Sequence, residues 1–276
     1  MLPLLRATRY VIPLREGGSL PAVLDTETDG AYVVKFRGAG QGAKVLVAEI
    51  IAGRLAQVFG LPVPDLAAVY LDEAFGRTER DPEIQDILKG SRGLNVGLRF
   101  MEGALNFNDV ADAALVDPDF AADVVVFDAF VTNIDRTARN PNLMIWNEAV
   151  WLIDHGATLY FHHNWPGVTP ERAAAPFAPI KDHVLLPFAG DLKEAGDRLQ
   201  QRLGDEALRS VLADIPDDLL MDAPDGQRPA FGTPEANREA YFDFLSRRLA
   251  HAETIVNAAA EAKRAGSPDQ PLRYRR

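Results

Sequence analysis

The pattern of apolar residues changes near Gly103 and divides the 276-residue chain into two unlike parts. Before Gly103, short apolar segments alternate with turns that contain glycine and proline, a pattern that predicts β-strands. Residues 43–59 are the clearest helix of this part, with Val47 and Ile51 on one apolar face. After Gly103 the apolar segments are longer and follow a helical period. The chain therefore predicts an α+β fold, with a β-rich N-terminal part around one main helix and an α-rich C-terminal part.

Turn residues and apolar periodicity also set approximate bounds for the other elements. The predicted N-terminal strands are residues 9–14, 22–25, 31–36, 67–71 and 96–101. A short helix is expected near residues 82–88, and longer helices at residues 118–132, 191–203, 205–213 and 234–262. Residues 143–146 and 150–153 are two short strands of the C-terminal part. The last residues, 265–276, are expected to form a frayed tail.

Composition excludes several classes of protein. Hydrophobic residues make up 47% and charged residues 25%, which is ordinary for a globular chain. The absence of cysteine excludes disulfides, cysteine–zinc sites and thiol catalysis, and it fits a reducing compartment. The net charge is −11, and most of the acidic excess follows residue 103, so nucleic acid and anionic membranes are poor partners. No apolar run is long enough to span a bilayer, and we expect a cytoplasmic protein.

Hard oxygen donors surround the two short strands of the C-terminal part. Asp135, Asn140 and Asn142 precede the first strand, and Asp154 follows the second. If the two strands pair antiparallel about residues 147–149, the start of one lies beside the end of the other. These carboxylates and amides would then converge on one point. Such a set suits Mg²⁺, which takes one or two carboxylates and substrate phosphates as ligands.

Lys35 is the second candidate, because it lies inside an apolar strand. A lysine that is buried there needs a partner, since an unpaired buried charge is costly. Glu49 lies on the following helix, on a flank of small side chains, and can supply that partner. The alternative is that Lys35 points to solvent, as the period of two residues in a strand allows.

Residues 38–43 carry a third pattern, Gly-x-Gly-x-x-Ala, between a strand and a helix. This pattern is also found in dinucleotide-binding folds, where it is followed by an acidic residue such as Asp72. Two observations argue against that interpretation. Lys35 and Arg37 interrupt a strand that should be continuously apolar, and the expected third parallel strand is missing. A plain connection between strand and helix is the simpler interpretation, and a dinucleotide-binding enzyme remains the less favoured alternative.

Together these residues resemble the HipA family of bacterial kinases, which have a protein-kinase-like fold, with distant similarity to phosphoinositide kinases. The spacing of Asp135 and Asn140 is similar to that of a kinase catalytic loop, and residues 154–156, Asp-His-Gly, resemble the metal-binding Asp-Phe-Gly. The resemblance implies two lobes, residues 1–103 over the nucleotide and residues 104–264 with the catalytic and metal loops. Residues 265–276 are left as the tail.

The resemblance also implies roles for single residues. Asp135 would orient the acceptor hydroxyl, and Lys35, paired with Glu49, would hold the α- and β-phosphates of ATP. Asp154 and one asparagine, Asn140 or Asn142, would hold Mg²⁺. The remaining nucleotide contacts implied are a phosphate-covering loop at Gly17, Gly18 and Ser19, and a hinge that meets adenine at Phe100, Met101 and Glu102.

The implied activity is ATP-dependent phosphoryl transfer to a protein Ser or Thr hydroxyl. The sequence departs from the family at Thr137, where HipA relatives usually have histidine after Asp-Arg. A nucleotide-binding pseudokinase or regulatory module therefore remains the alternative. The acceptor is left open between a protein and a small molecule, and the oligomeric state is also open. Some relatives have an antitoxin partner, which nothing in this sequence indicates.

Overall fold

A computed structural model describes residues 2–14, 20–28, 30–39, 42–77, 79–222 and 229–266. Within these ranges the N-terminal part is rich in β-strands and the C-terminal part is mainly helical, which confirms the predicted mixed class. None of the described helices is long and apolar enough to cross a bilayer. Gly17, Gly18 and Ser19, which were predicted to cover the phosphates, lie outside the described residues, as does the chain after Gly266.

The strands of the N-terminal part close into a barrel. They are β1 (Leu4–Pro13), β2 (Ala22–Thr26), β3 (Ala31–Lys35), β4 (Leu66–Leu71) and β5 (Gly93–Arg99). The order is β1-β2-β3-β5-β4, with antiparallel neighbours, and a parallel pairing of β1 with β4 closes the barrel. Strand β1 begins earlier than predicted because Leu4, Leu5 and Arg6 pair with β4. That pairing joins distant segments, so local periodicity does not reveal it.

The barrel topology bears on the glycine-rich segment between β3 and the following helix. Strands β3 and β4 are not neighbours, because β5 lies between them and is antiparallel to both. A dinucleotide-binding unit needs two adjacent parallel strands joined by the helix. The strand order here is different, so the topology does not support the dinucleotide alternative.

Nine α-helices lie in the described ranges, the first two in the N-terminal part and the other seven in the C-terminal part. They are α1 (Ala43–Phe59), α2 (Pro82–Gly90), α3 (Pro118–Phe130), α4 (Pro170–Ala174), α5 (Leu192–Arg202), α6 (Asp205–Ala213), α7 (Asp217–Leu220), α8 (Pro234–Ala250) and α9 (Ala252–Ala265). Short 3₁₀ segments lie at Ala113–Leu115, Tyr160–Gly167 and Ala178–Asp182. Asp117 caps the N-terminus of α3, because its carboxylate accepts the N–H groups of Asp119 and Phe120.

Helix α1 has the bounds that its sequence predicts, and Gly60 ends it in the left-handed conformation with φ of 95°. Nearly every face of α1 is buried. It packs against β4 and β5 of the barrel and against α5, α6 and α7. Polar contacts add to this packing, because Arg54 forms an ion pair with Asp214 at 3.2 Å and Arg202 donates to the Phe59 carbonyl at 2.5 Å. The position of α1 is therefore determined by both parts of the chain.

The single helix predicted for residues 234–262 is wrong, because two helices, α8 and α9, meet at His251. The backbone of His251 leaves the helical region with φ of −110° and ψ of 25°. No proline or glycine marks this break in the sequence. The two helices pack on different partners, since α8 contacts α4 and α6 while α9 contacts α3 and α5. Tertiary packing therefore decides where the helix breaks.

The predicted pairing of the two short C-terminal strands is confirmed. Strands β7 (Leu143–Trp146) and β8 (Ala149–Leu152) are antiparallel, and the short strand β6 (Leu105–Asn106) pairs with β7. Asn147 and Glu148 form the two-residue turn, with φ of 49° and 60°, as a type I′ hairpin turn requires. This hairpin carries the segment before β7 and the segment after β8 to the same end.

Candidate active site

The centre of the site is a lysine between two carboxylates. Lys35 ends β3 and is buried, and its Nζ lies 2.5 Å from Glu49 Oε2 and 2.5 Å from Asp154 Oδ1. Glu49 is fully buried on α1, whereas Asp154 follows β8 and its side chain is 44% exposed. Three separate elements therefore meet at one ammonium group. The alternative that Lys35 points to solvent is wrong.

Electrostatics keep this group fully charged. Burial opposes the charged form of Lys35, but the Glu49 and Asp154 carboxylates outweigh burial and raise the pKa of Lys35 above its usual range. Burial likewise opposes ionisation of Glu49, yet Lys35 and then His155 hold the pKa of that carboxyl well below its usual range. The ammonium is thus a permanent cation at neutral pH, suited to binding anionic oxygens.

His155 is part of the site that the sequence interpretation did not assign. Its backbone N–H donates to Glu49 Oε2 at 2.9 Å, and its ring Nδ1 lies 3.4 Å from Glu49 Oε1. The loop after β8 is thereby tied to α1 through the same carboxylate that holds Lys35. Gly156 follows, where a Cβ atom would lie 2.5 Å from Val45 Cγ1 of α1, so only glycine fits this close approach.

Asp135, Asn140 and Asn142 form a second cluster in the loops after α3. Asp135 Oδ2 accepts hydrogen bonds from Asn140 Nδ2 at 2.8 Å and from Asn142 Nδ2 at 3.2 Å. The backbone carbonyl of Asn142 accepts the N–H of Ile153 at 3.1 Å, next to Asp154. Both Asn142 and Asp154 have left-handed backbones, with φ of 49° and 54°. Such conformations in non-glycine residues cost free energy and cluster at functional sites.

A buried polar cluster that sequence analysis missed supports the catalytic-loop candidates. Asp128 of α3 is fully buried and accepts from Arg136 Nε at 2.5 Å, His183 Nε2 at 2.9 Å and Asn133 Nδ2 at 3.0 Å. Arg136 also donates to the carbonyl oxygens of Asn142 and Ile153. It therefore joins the loop before β7 to the end of β8. Asp128 within the otherwise apolar residues 124–130 was the available signal, because a buried carboxylate needs partners.

Strand β5 ends at Arg99, two residues before its predicted end, so the predicted hinge residues Phe100, Met101 and Glu102 follow the strand directly. The Phe100 N–H donates to the Ala31 carbonyl at 2.9 Å, and the Glu102 carbonyl accepts from Trp146 Nε1 at 3.0 Å. Met101 is buried, and its carbonyl accepts from Ala104 N–H at 3.2 Å. Some of the backbone groups expected to meet adenine are therefore engaged within the chain.

The donor chemistry of the site fits Mg²⁺ held together with phosphates. The amide nitrogens of Asn140 and Asn142 both face Asp135, and one oxygen of Asp154 faces Lys35. The carboxylate oxygens of Asp135 and Asp154 and the amide oxygens of the two asparagines are hard donors, as Mg²⁺ prefers. In the described ranges, no group of three or more His, Asp or Glu residues is placed to hold a metal ion by itself. These oxygen donors therefore suit a metal ion that takes its other ligands from a bound substrate.

We expect the free energy of unfolding to fall as pH is lowered from about 7.5 to about 5.5, because buried histidines are neutral in the folded chain. Burial lowers the pKa of His183, and its Nδ1 accepts the Leu185 N–H at 3.0 Å, which protonation would prevent. Burial, followed by His163 and Lys44, lowers the pKa of His162 well below the value of 6.5. The unfolded chain thus binds more protons below pH 6.5, and stability rises with pH. Urea denaturation across this range measures the slope.

The matched variants for this pH dependence are His162→Asn and His251→Gln. His162 is buried and bonds to Tyr241, whereas His251 is exposed at the α8–α9 junction. Each proton that binds the unfolded chain but not the folded chain contributes up to about 1.4 kcal/mol per pH unit to the free energy of unfolding. His162→Asn should therefore reduce the dependence of that free energy on pH, and His251→Gln should not. An identical slope in wild type and His162→Asn would contradict the assignment.

Comparison with known proteins identifies the family and a similar fold. Residues 10–236 match the family model described as HipA-like kinase. The crystal structure of a Helicobacter pylori proinflammatory kinase, CtkA, is similar in fold, with a TM-score of 0.51 and 13% sequence identity over 95% of this chain and 98% of that chain. A search of curated proteins found no match. Because the family model covers most of the sequence, the chain belongs to the HipA-like kinase family.

Proposed function

We propose that this protein is an ATP-dependent phosphotransferase whose site lies at Lys35, Glu49, Asp135 and Asp154. The observation that carries the proposal is the position of Lys35 between two carboxylates from different elements, at 2.5 Å from each. A buried cation can bind the oxygens of a polyphosphate, and a partly exposed carboxylate beside it can bind the metal ion that accompanies the polyphosphate. The family membership supports the same class of reaction.

In this proposal the chain positions the nucleotide and neutralises its charge. Lys35, oriented by Glu49, binds the α- and β-phosphate oxygens. Asp154 and Asn140 or Asn142 hold Mg²⁺, which supplies charge neutralisation on the phosphates when bound. The Asp135 carboxylate orients the acceptor hydroxyl and accepts its proton as the oxygen attacks the γ-phosphorus, while the bond to the ADP oxygen breaks. Asn140 and Asn142 hold Asp135 in place through its Oδ2.

The nucleotide is proposed to lie between the N-terminal part, residues 1–103, and residues 104–264. Adenine would meet the backbone near Phe100, Met101 and Glu102. Because the Phe100 N–H and the carbonyls of Met101 and Glu102 already have partners, we take the Met101 N–H as the group that meets adenine. The loop at Gly17, Gly18 and Ser19 completes the proposal as the segment over the phosphates.

The acceptor is proposed to be a Ser or Thr hydroxyl of a protein. The acidic excess of the C-terminal part disfavours phosphoinositides and nucleic acids as acceptors, because like charges repel across an interface. A pseudokinase that binds ATP without transfer is the second candidate, favoured by Thr137 in place of the usual histidine. The two candidates share the nucleotide site and differ in turnover.

Thermal unfolding with ligands tests the nucleotide site first. ATP with Mg²⁺ should raise the unfolding temperature, because a ligand that binds only the folded state stabilises it by mass action. NAD should not raise it, because the β3–α1–β4 topology is not that of a dinucleotide-binding unit. Stabilisation by NAD and none by ATP with Mg²⁺ would reject the proposal.

Radiolabelled ATP then separates the kinase from the pseudokinase. The purified protein is incubated with γ-labelled ATP alone, with cell lysate and with lipid vesicles. Label in protein supports the proposed acceptor class, and label mainly in lipid overturns the charge argument. Stabilisation by ATP with no transfer to any fraction assigns the pseudokinase.

A further inference from the structure

A small cavity of about 110 Å³ lies beside the loop that leads to Asp135, and the proposed phosphotransfer does not use it. Thr132 forms part of its wall, three residues before Asp135. The opposite wall comes from the segment after Asp154, including Tyr160 and Phe177, and from α8, including Phe244 and Arg248. The cavity therefore joins the loop before Asp135, the segment after the Asp154 loop and the core of the C-terminal part.

The charge of this cavity is opposite to that of the chain. Arg172 and Arg248 both line it, and none of its lining residues is Asp or Glu. This is unusual for a chain with a net charge of −11. Arg172 is exposed, and its Nη1 donates to the Gly167 carbonyl at 2.8 Å.

Arg248 is a buried cation without an acidic partner among the described residues. It is 2% exposed, and its guanidinium donates only to backbone carbonyls, those of Ala129, Phe130, Ala173 and Ala175. Burial lowers the pKa of Arg248 to about 10. Buried charges in proteins are normally paired with an opposite charge or a bound ion. An anion in the adjacent cavity would supply that missing charge.

The remaining walls favour binding of a compact polar group. Phe177 and Phe244 are buried apolar walls, and an apolar wall strengthens electrostatic attraction beside it. The hydroxyl of Thr132 is buried with no hydrogen-bond partner in the described part of the chain. The backbone of Thr132 is left-handed, with φ of 56°. A buried unsatisfied hydroxyl and a strained backbone at the same residue are both features of functional sites.

We propose that this cavity binds a phosphate group, held by Arg172 and Arg248 beside Thr132. The volume accommodates one tetrahedral oxyanion, and the two guanidinium groups provide the charge that such an anion requires. The group comes either from free phosphate or from a phosphorylated residue. Binding there would contact the chain immediately before the loop of Asp135, so the cavity could sense a phosphate near the site of transfer.

Calorimetry with inorganic phosphate tests the cavity directly, without nucleotide or activity. Wild type should bind phosphate, and Arg172→Gln should weaken binding about tenfold, because a charge-assisted hydrogen bond is lost. The matched control is Arg247→Gln, which removes the same charge from an exposed position next to Arg248, outside the cavity wall. Equal affinity in wild type and Arg172→Gln, or no binding by wild type, would overturn the proposal.

Three further measurements complete the test. Thr132→Val keeps the branched shape and removes the hydroxyl, so it should weaken phosphate binding. This variant tests the cavity independently of Arg172→Gln. ATP–Mg²⁺ affinity should stay unchanged in both variants, which separates this cavity from the nucleotide site. O-phospho-L-serine in place of inorganic phosphate distinguishes the sources. Tighter binding of phosphoserine assigns a phosphorylated residue, and equal binding assigns free phosphate.

Discussion

Replacing Asp154 with asparagine is expected to remove most magnesium-dependent ATP binding and to lower phosphoryl transfer by about 100-fold or more, because the carboxylate is the main charged metal ligand proposed. Asparagine is a more informative replacement for Asp154 than alanine. Asp154 has φ of 54°, and asparagine tolerates this left-handed backbone while alanine is strained in it. The variant thus changes the charge and keeps the loop. It also removes one of the two carboxylates next to Lys35.

Calorimetric titration of ATP with Mg²⁺, and again with a chelator, measures this effect. Wild type should bind ATP more tightly with metal, and Asp154→Asn should bind it equally weakly in both conditions. Asp243→Asn is the matched control, because Asp243 is exposed on α8 outside the candidate site. A metal-dependent gain in affinity that is the same in Asp154→Asn and wild type would refute the metal assignment.

Replacing Asp135 with asparagine is expected to lower phosphoryl transfer by about 10²- to 10⁴-fold, the range typical for loss of a catalytic base. ATP–Mg²⁺ affinity should change little, because the acceptor hydroxyl contacts Asp135 only during the reaction. The substitution preserves the size of the side chain, and an amide oxygen can still accept from Asn140 or Asn142. The loss should therefore appear in turnover.

Single-turnover transfer of labelled phosphate, measured beside ATP affinity, separates the two effects. Asn140→Ala and Asn142→Gly, assayed in the same way, show which asparagine holds the metal: that variant should lose magnesium-dependent affinity, and the other should not. Glycine is used at residue 142 because it tolerates the left-handed backbone there, with φ of 49°. Full transfer activity in Asp135→Asn would exclude Asp135 as the catalytic base and leave the loop with a structural role only.

Local patterns were sufficient where one segment determines its own structure. The stripe of α1 and its stop at Gly60 predicted that helix correctly, because apolar periodicity and a left-handed glycine are local properties. The hairpin of β7 and β8 was predicted from two apolar segments joined by a short turn. The break at His251 could not be predicted, since it depends on the different surfaces that α8 and α9 cover.

The candidate site shows the same limit at the level of single residues. Lys35, Glu49 and Asp154 could be chosen because charged side chains near apolar segments need partners. The sequence could not show that the Glu49 and Asp154 carboxylates each lie 2.5 Å from Lys35 Nζ, or that His155 shares the Glu49 carboxylate. Asp128 and His183 were missed because they are 55 residues apart and are joined by a hydrogen bond only in the fold.

By itself the sequence determined the class of fold, the main helix, the hairpin and the family resemblance, all of which depend on order and spacing along the chain. Tertiary structure decided which charges are neighbours. The ion pair of Lys35 with Asp154 spans 119 residues, and that of Lys35 with Glu49 is buried at both ends. The physical reason is that burial and desolvation, which give a charged group its pKa and its need for a partner, are properties of the packed chain.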